Sequence, residues 1–122
     1  MVITKLVQNK NEFLVDIYLD DKYFKTVDKN FVVEYGLSKG KSLNLDEISK
    51  LENQSIVNKL YNLAKNRILS RPHSESEIRK YLSTKEKEST RAEMVIDRLR
   101  DDNYINDKEF SIWWIDNRNT FR

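Results

Sequence analysis

The residues of this chain whose types could support chemistry are few. Gly36-Leu37-Ser38-Lys39-Gly40-Lys41-Ser42 has the glycines, lysine and hydroxyl of a phosphate-binding loop. Such a loop needs four residues between its glycines, because its backbone N–H groups must wrap a phosphate with a helix starting directly behind. This stretch has three, and Asn44-Leu45-Asp46 opens the next helix later. It reads as a connector, not a nucleotide site. His73 is the only histidine and there is no cysteine, so zinc has too few ligands. We read His73 as a solvated turn residue and Ser74 beside it as a helix cap rather than a nucleophile. Asp101, Asp102, Asp107 and Glu109 could hold a hard cation, but the alternating ligands and mid-loop glycine of a calcium loop are missing. No general acid–base pair stands out. The expectation is a protein that is not an enzyme, with no cofactor, metal or small-molecule substrate.

Basic residues are the remaining signal. There are 22 lysines and arginines against 20 acidic residues, a net charge of only +2, so their distribution matters more than their sum. All eight arginines follow residue 66, and residues 1–44 use lysine alone for positive charge. No acidic residue falls between Lys59 and Arg71. Lys59, Lys65, Arg67 and Arg71, with Arg79, Lys80, Arg98, Arg100 and Arg118, are the candidate contacts to phosphates or to an acidic partner.

The elements that position these cations divide into two kinds. With 122 residues, the chain has room for one domain or two small modules. Two glycines and one proline disfavour a turn-rich all-β fold. Val15, Ile17 and Leu19 alternate with Asp16, Tyr18 and Asp20, the period of a half-buried strand. Asp20-Asp21-Lys22 supplies a turn before Tyr23–Val27, and Val2–Val7 adds a third strand, giving an antiparallel meander over residues 2–28. Asn30 is placed to cap a short helix that Gly36 ends in the left-handed conformation. From Asp46 the period becomes 3.6: Ile56, Leu60, Leu63 and Ala64 form one apolar face, and Pro72 stops the helix. Ser74-x-x-Glu77, Thr90-x-x-Glu93 and Asn106-x-x-Glu109 each resemble a capping box. Asn103 suits a left-handed C-cap. The fold class is therefore α+β, with a strand-rich module over 1–44 and a helical module over 45–122. No stretch approaches the ~20 apolar residues of a membrane span. No signal peptide is visible, so a cytoplasmic location is expected.

Two stretches carry a family resemblance. One is Ile3-Thr4-Lys5, Tyr18-Leu19-Asp20 and Tyr35-Gly36-Leu37-x-Lys39-Gly40-x-x-Leu43. The other runs Leu63-Ala64-x-x-Arg67-x-x-Ser70-Arg71-Pro72-x-Ser74-x-x-Glu77-Ile78-Arg79-x-Tyr81-Leu82. It continues as Ile96-x-x-Leu99-x-x-Asp102-Asn103-Tyr104-Ile105-Asn106-Asp107-x-x-Phe110 and Trp114-x-x-x-Arg118. The sequence resembles RecX, the bacterial regulator of the recombinase RecA, in the form found in low-GC Gram-positive bacteria. Asn103 stands where the family commonly has glycine. The resemblance implies a three-helix repeat of the RecX type. It also implies a modulator that binds along the RecA–DNA filament and suppresses recombinase, ATPase and co-protease activity, with a place in DNA recombination, repair and the SOS response. Family members usually carry three such repeats and this chain one, so further repeats are expected beyond it, and the chain alone is expected to inhibit weakly or not at all. The last helix fits that expectation: Phe110, Trp113 and Trp114 make one apolar side and Ile112 and Ile115 the other. A helix-turn-helix DNA-binding module is the alternative.

Overall fold

The computed structural model describes residues 1–11 and 13–120, with side chains through Asn117. Its contacts form two compact units, Met1–Ile56 and Val57–Arg122. The first unit is a three-stranded antiparallel meander in the order β1 (Ile3–Gln8), β2 (Leu14–Leu19), β3 (Lys22–Asp28). Alternation along β2 buries Ile17 and Leu19, as the sequence pattern requires. The turn after β2 places both Asp20 (φ +48°) and Asp21 (φ +67°) in the left-handed region. Two successive residues of that kind match the twist of a tight hairpin, and aspartate tolerates the conformation better than most side chains.

Helix α1 (Lys29–Glu34) is capped by Asp28, whose Oδ1 accepts from the Phe31 N–H at 2.7 Å. This corrects the expectation of Asn30 as cap: the extended Asp28, the last residue of β3, meets the orphan N–H first. Gly36 follows α1 at φ +59°, as expected. Ile3, Ile17, Leu19, Val27, Phe31, Leu37 and Leu43 form the core, with Ile48 and Leu51 packed against it. Helix α2 (Leu45–Ser70) opens on a reciprocal cap that the sequence reading missed. The Glu47 N–H donates to Asn44 Oδ1 at 2.8 Å, and the Asn44 N–H to Glu47 Oε1 at 3.2 Å.

The second unit contains the later part of α2 with α3 (Glu75–Lys85), α4 (Ser89–Asp101) and α5 (Asp107–Thr120). On α2 the buried stripe is Val57, Leu60, Tyr61, Ala64 and Ile68, while Ile56 and Leu63 are half-buried. The apolar face is thus rotated from the expected one: Tyr61 and Ile68 join it, and Ile56 and Leu63 move to its edge. Ile78 and Leu82 of α3 and Val95, Ile96 and Leu99 of α4 are fully buried in the same unit. Helix α3 has the expected capping box, with the Glu77 N–H donating to Ser74 Oγ and the Ser74 N–H to Glu77 Oε1, both at 3.1 Å. Ser74→Ala is expected to cost about 1 kcal/mol, read as a lower urea midpoint in tryptophan fluorescence. Helix α4 differs. It begins at Ser89 with no side-chain cap, so Thr90 lies inside the helix and Glu93 instead pairs with Arg79. Asn103 is left-handed at φ +62°, and Asn106 Oδ1 caps α5 through the Glu109 N–H at 3.1 Å.

His73 is buried, at 6% exposure, with Nδ1 donating to the Arg71 carbonyl at 2.7 Å. The solvated turn residue expected from its neighbours is therefore an internal strut of the turn. Ile112, Trp114 and Ile115 are exposed on α5, and Phe110 and Trp113 are half-buried. No helix is long and apolar enough to cross a membrane, and no metal-holding group of side chains occurs, among the described residues.

Candidate functional site

The end of α2, the turn after it and one face of α3 enclose a groove of about 560 Å³. Arg67, in the last turn of α2, and Arg71, in the turn just past its end, both line it. Lys80, Tyr81, Thr84 and Lys85 follow on α3 at the spacing of a single helical face. The Tyr81 ring carries a cation on either count: the Arg67 guanidinium lies 4.3 Å and the Lys85 ammonium 5.8 Å from its centroid. Arg71 is fixed by two bonds of 2.8 Å, to the Pro72 carbonyl and to Glu77 Oε2, and it stands 5.0 Å over the Trp113 ring. The bond from Arg71 holds the Glu77 carboxyl below the usual carboxylate range against the opposing effect of burial. Glu77 also lines the groove, but its charge is answered by Arg71.

What distinguishes the groove is that its other cations are not neutralised. Arg67, Lys80 and Lys85 have no ion pair among the described residues, whereas Arg79, Arg91 and Arg100 each have two. Arg79 pairs with Glu75 and Glu93, and Arg100 with Glu75 and Asp97. Hydrogen bonds from these guanidiniums hold Glu75 and Glu93 low and raise both arginines. Their charge is committed to joining α3 to α4.

The remaining candidates lie elsewhere. Arg98 covers the Tyr61 ring at 3.9 Å and reaches Asn58 Oδ1 at 3.4 Å. Lys65 stands 5.4 Å from the Tyr104 ring. Lys59 is exposed and unpaired among the described residues but does not line the groove. The Arg118 side chain lies outside the described residues. The structure therefore brings Arg67, Arg71 and Lys80 together and leaves Lys59, Lys65, Arg79, Arg98 and Arg100 apart from them. Lys85 and Tyr81 were missed as site residues, although their spacing of four from each other on a helix was a usable signal.

In the same unit, under Arg98, Tyr61 donates its hydroxyl to Asp102 Oδ2 at 2.6 Å. Burial and that carboxylate push its phenol well above the ordinary value of 10.0. A raised folded value means the stabilisation is complete below pH 10 and declines above it, as the unfolded phenol ionises while the folded one stays neutral. The unfolding midpoint is thus expected to fall above pH 10, and Tyr61→Phe to flatten that decline relative to the parent chain.

Comparison with known proteins adds independent findings. Residues 1–44 match the family described as regulatory protein RecX N-terminal domain. Regulatory protein RecX of Listeria monocytogenes serotype 4a (strain HCC23) is 39% identical over 112 residues, covering 91% of this chain and 42% of that protein. Regulatory protein RecX of Bacillus subtilis (strain 168) is 36% identical over 114 residues, covering 93% and 43%. A crystal structure of regulatory protein RecX shares the fold at a TM-score of 0.82 and 23% identity, covering 95% of this chain and 57% of that one. The chain spans a little over two-fifths of the length of these curated relatives. Domain match, sequence identity and fold agree, and the resemblance to regulatory protein RecX is established over nearly the whole of this chain.

Proposed function

We propose that this chain forms the N-terminal part of a RecX-type regulator, with a strand-rich module over 1–44 and a helical module over 45–122. That whole regulator binds the RecA–DNA filament and lowers RecA recombinase, ATPase and co-protease activity, acting in recombination, repair and the SOS response without catalysing a reaction, and this chain supplies part of its binding surface. The observation that carries this reading beyond the resemblance is the groove: Arg67, Lys80 and Lys85 are left without carboxylate partners around Tyr81. Such a surface suits the phosphodiester backbone of filament-bound DNA, where contacts release counterions. A helix-turn-helix module has less support. Its recognition helix would be α5, whose first turn carries Asp107 and Glu109, and these repel phosphate.

The test is binding of the 122-residue chain to RecA filaments on single-stranded DNA, followed by fluorescence anisotropy. Saturable binding that weakens as salt rises is expected. No binding at ~50 mM salt would contradict the proposal. ATP hydrolysis by the same filaments is expected to fall little with this chain.

A further inference from the structure

A second concavity lies within the first unit and shares no residue with the basic groove. It has a volume of about 320 Å³ and sits between the α1–α2 connection and the first turns of α2, at the lower end of the ~300–1,000 Å³ of ligand sites. Leu37, Leu43 and Leu51 supply an apolar floor. The rim is polar and mostly donating. Lys41 is held in place by its Nζ donating to the Tyr35 carbonyl at 3.4 Å and the Gly36 carbonyl at 3.3 Å. Gln54 Oε1 accepts from the Tyr35 hydroxyl at 3.2 Å, which fixes the amide and leaves its N–H groups available. Lys50 is exposed and has no ion pair among the described residues. The one carboxylate at the rim, Glu47, is occupied by the Asn44 N–H at the start of α2.

We propose that this pocket docks a segment of a partner protein in which a large aliphatic or aromatic side chain lies beside a carboxylate. The leucine floor takes the apolar side chain, and Lys50, with the Gln54 amide, takes the acid. Two ammonium groups against a single, already bonded carboxylate give the rim a positive balance that favours an acidic segment over a basic one. The exposure of Lys50 and Glu47 leaves the pocket open on that side. A small free molecule would remain largely in water there, whereas one anchor side chain of a longer chain fits. The site would give a regulator a protein contact separate from its phosphate-binding groove.

The test selects displayed random peptides against the 122-residue chain carrying Arg67→Gln, Lys80→Gln and Lys85→Gln, so that acidic peptides are not drawn to the groove. Expected is enrichment of a Phe, Leu, Ile or Trp within two residues of Asp or Glu. The selected peptide should shift the methyl resonances of Leu37, Leu43 and Leu51. Lys50→Glu, at an exposed position, should weaken it about tenfold through loss of a charge-assisted bond. Failure to enrich any motif would overturn the proposal, as would a basic or wholly polar motif, or shifts confined to the second unit. Equal affinity in the folded Lys50→Glu variant would also overturn it. So would free 3-phenylpropionate binding as tightly as the peptide. None of these results bears on whether the groove binds DNA.

Discussion

Changing Arg67, Lys80 and Lys85 together to glutamine is expected to weaken binding to single-stranded DNA, alone or in the RecA filament, by roughly fifty-fold at ~0.15 M salt. The magnitude follows from counterion release: each lost phosphate contact removes about 0.7 from the slope of log affinity against log salt, and three act together. These residues are the ones to change because none is held in an ion pair among the described residues. Their removal therefore leaves no carboxylate stranded. The matched control is Arg79→Gln with Arg100→Gln. Those arginines are already answered by Glu75, Glu93 and Asp97, so binding should change by no more than about twofold. Far-UV circular dichroism of both variants should retain the helical spectrum, although Arg67 also contributes a ring contact with Tyr81.

The largest expected effect on stability lies in the core of the second unit. Ile96 is fully buried on α4. Ile96→Ala removes methylene groups from a close-packed interior and leaves a cavity, at a cost of about 2–5 kcal/mol. Set against a typical total of about 5–15 kcal/mol, that is a substantial part of what holds the helices together. Ile112→Ala is the contrasting case. Ile112 is 53% exposed on α5, and its truncation should change stability by no more than about 0.5 kcal/mol. Urea unfolding followed through Trp113 and Trp114 measures both, since the two indoles lie in the second unit. Similar midpoints for the two variants would mean that the buried helix pair is not where the stability resides.

Much of this fold was legible because single residues had one structural use. The alternation around Ile17 and Leu19 and the aspartate turn specified the meander. Ser74 with Glu77, the left-handed Gly36 and the left-handed Asn103 set helix ends. The misreadings share a cause: where several polar residues lie in a row, the three-dimensional path selects which one caps. Asp28 took the role expected of Asn30 because β3 delivers it to the start of α1. Thr90 lost its role because Glu93 turns to Arg79 on α3, a partner 14 residues away. His73 looked solvated from its polar neighbours, yet burial there depends on the Arg71 carbonyl finding its ring nitrogen.

For the candidate site, the sequence offered a pool of cations but not their partners. Glu75 lies 25 residues from Arg100, and no local spacing discloses that pair. Helical geometry did contain some of the answer. Lys65 and Arg67 fall on nearly opposite sides of α2, so the run from Lys59 to Arg71 could not act as one face. Tyr81 and Lys85, four residues apart on α3, share a face for the same reason.

The most direct measurement is the salt dependence of single-stranded DNA binding, by anisotropy between ~50 and ~200 mM salt, for the parent chain and the two sets of variants. The groove account predicts a slope shallower by about 2 for Arg67→Gln, Lys80→Gln and Lys85→Gln, and one nearly unchanged for Arg79→Gln with Arg100→Gln. Equal slopes for the parent and the groove variant, with both folded, would contradict it.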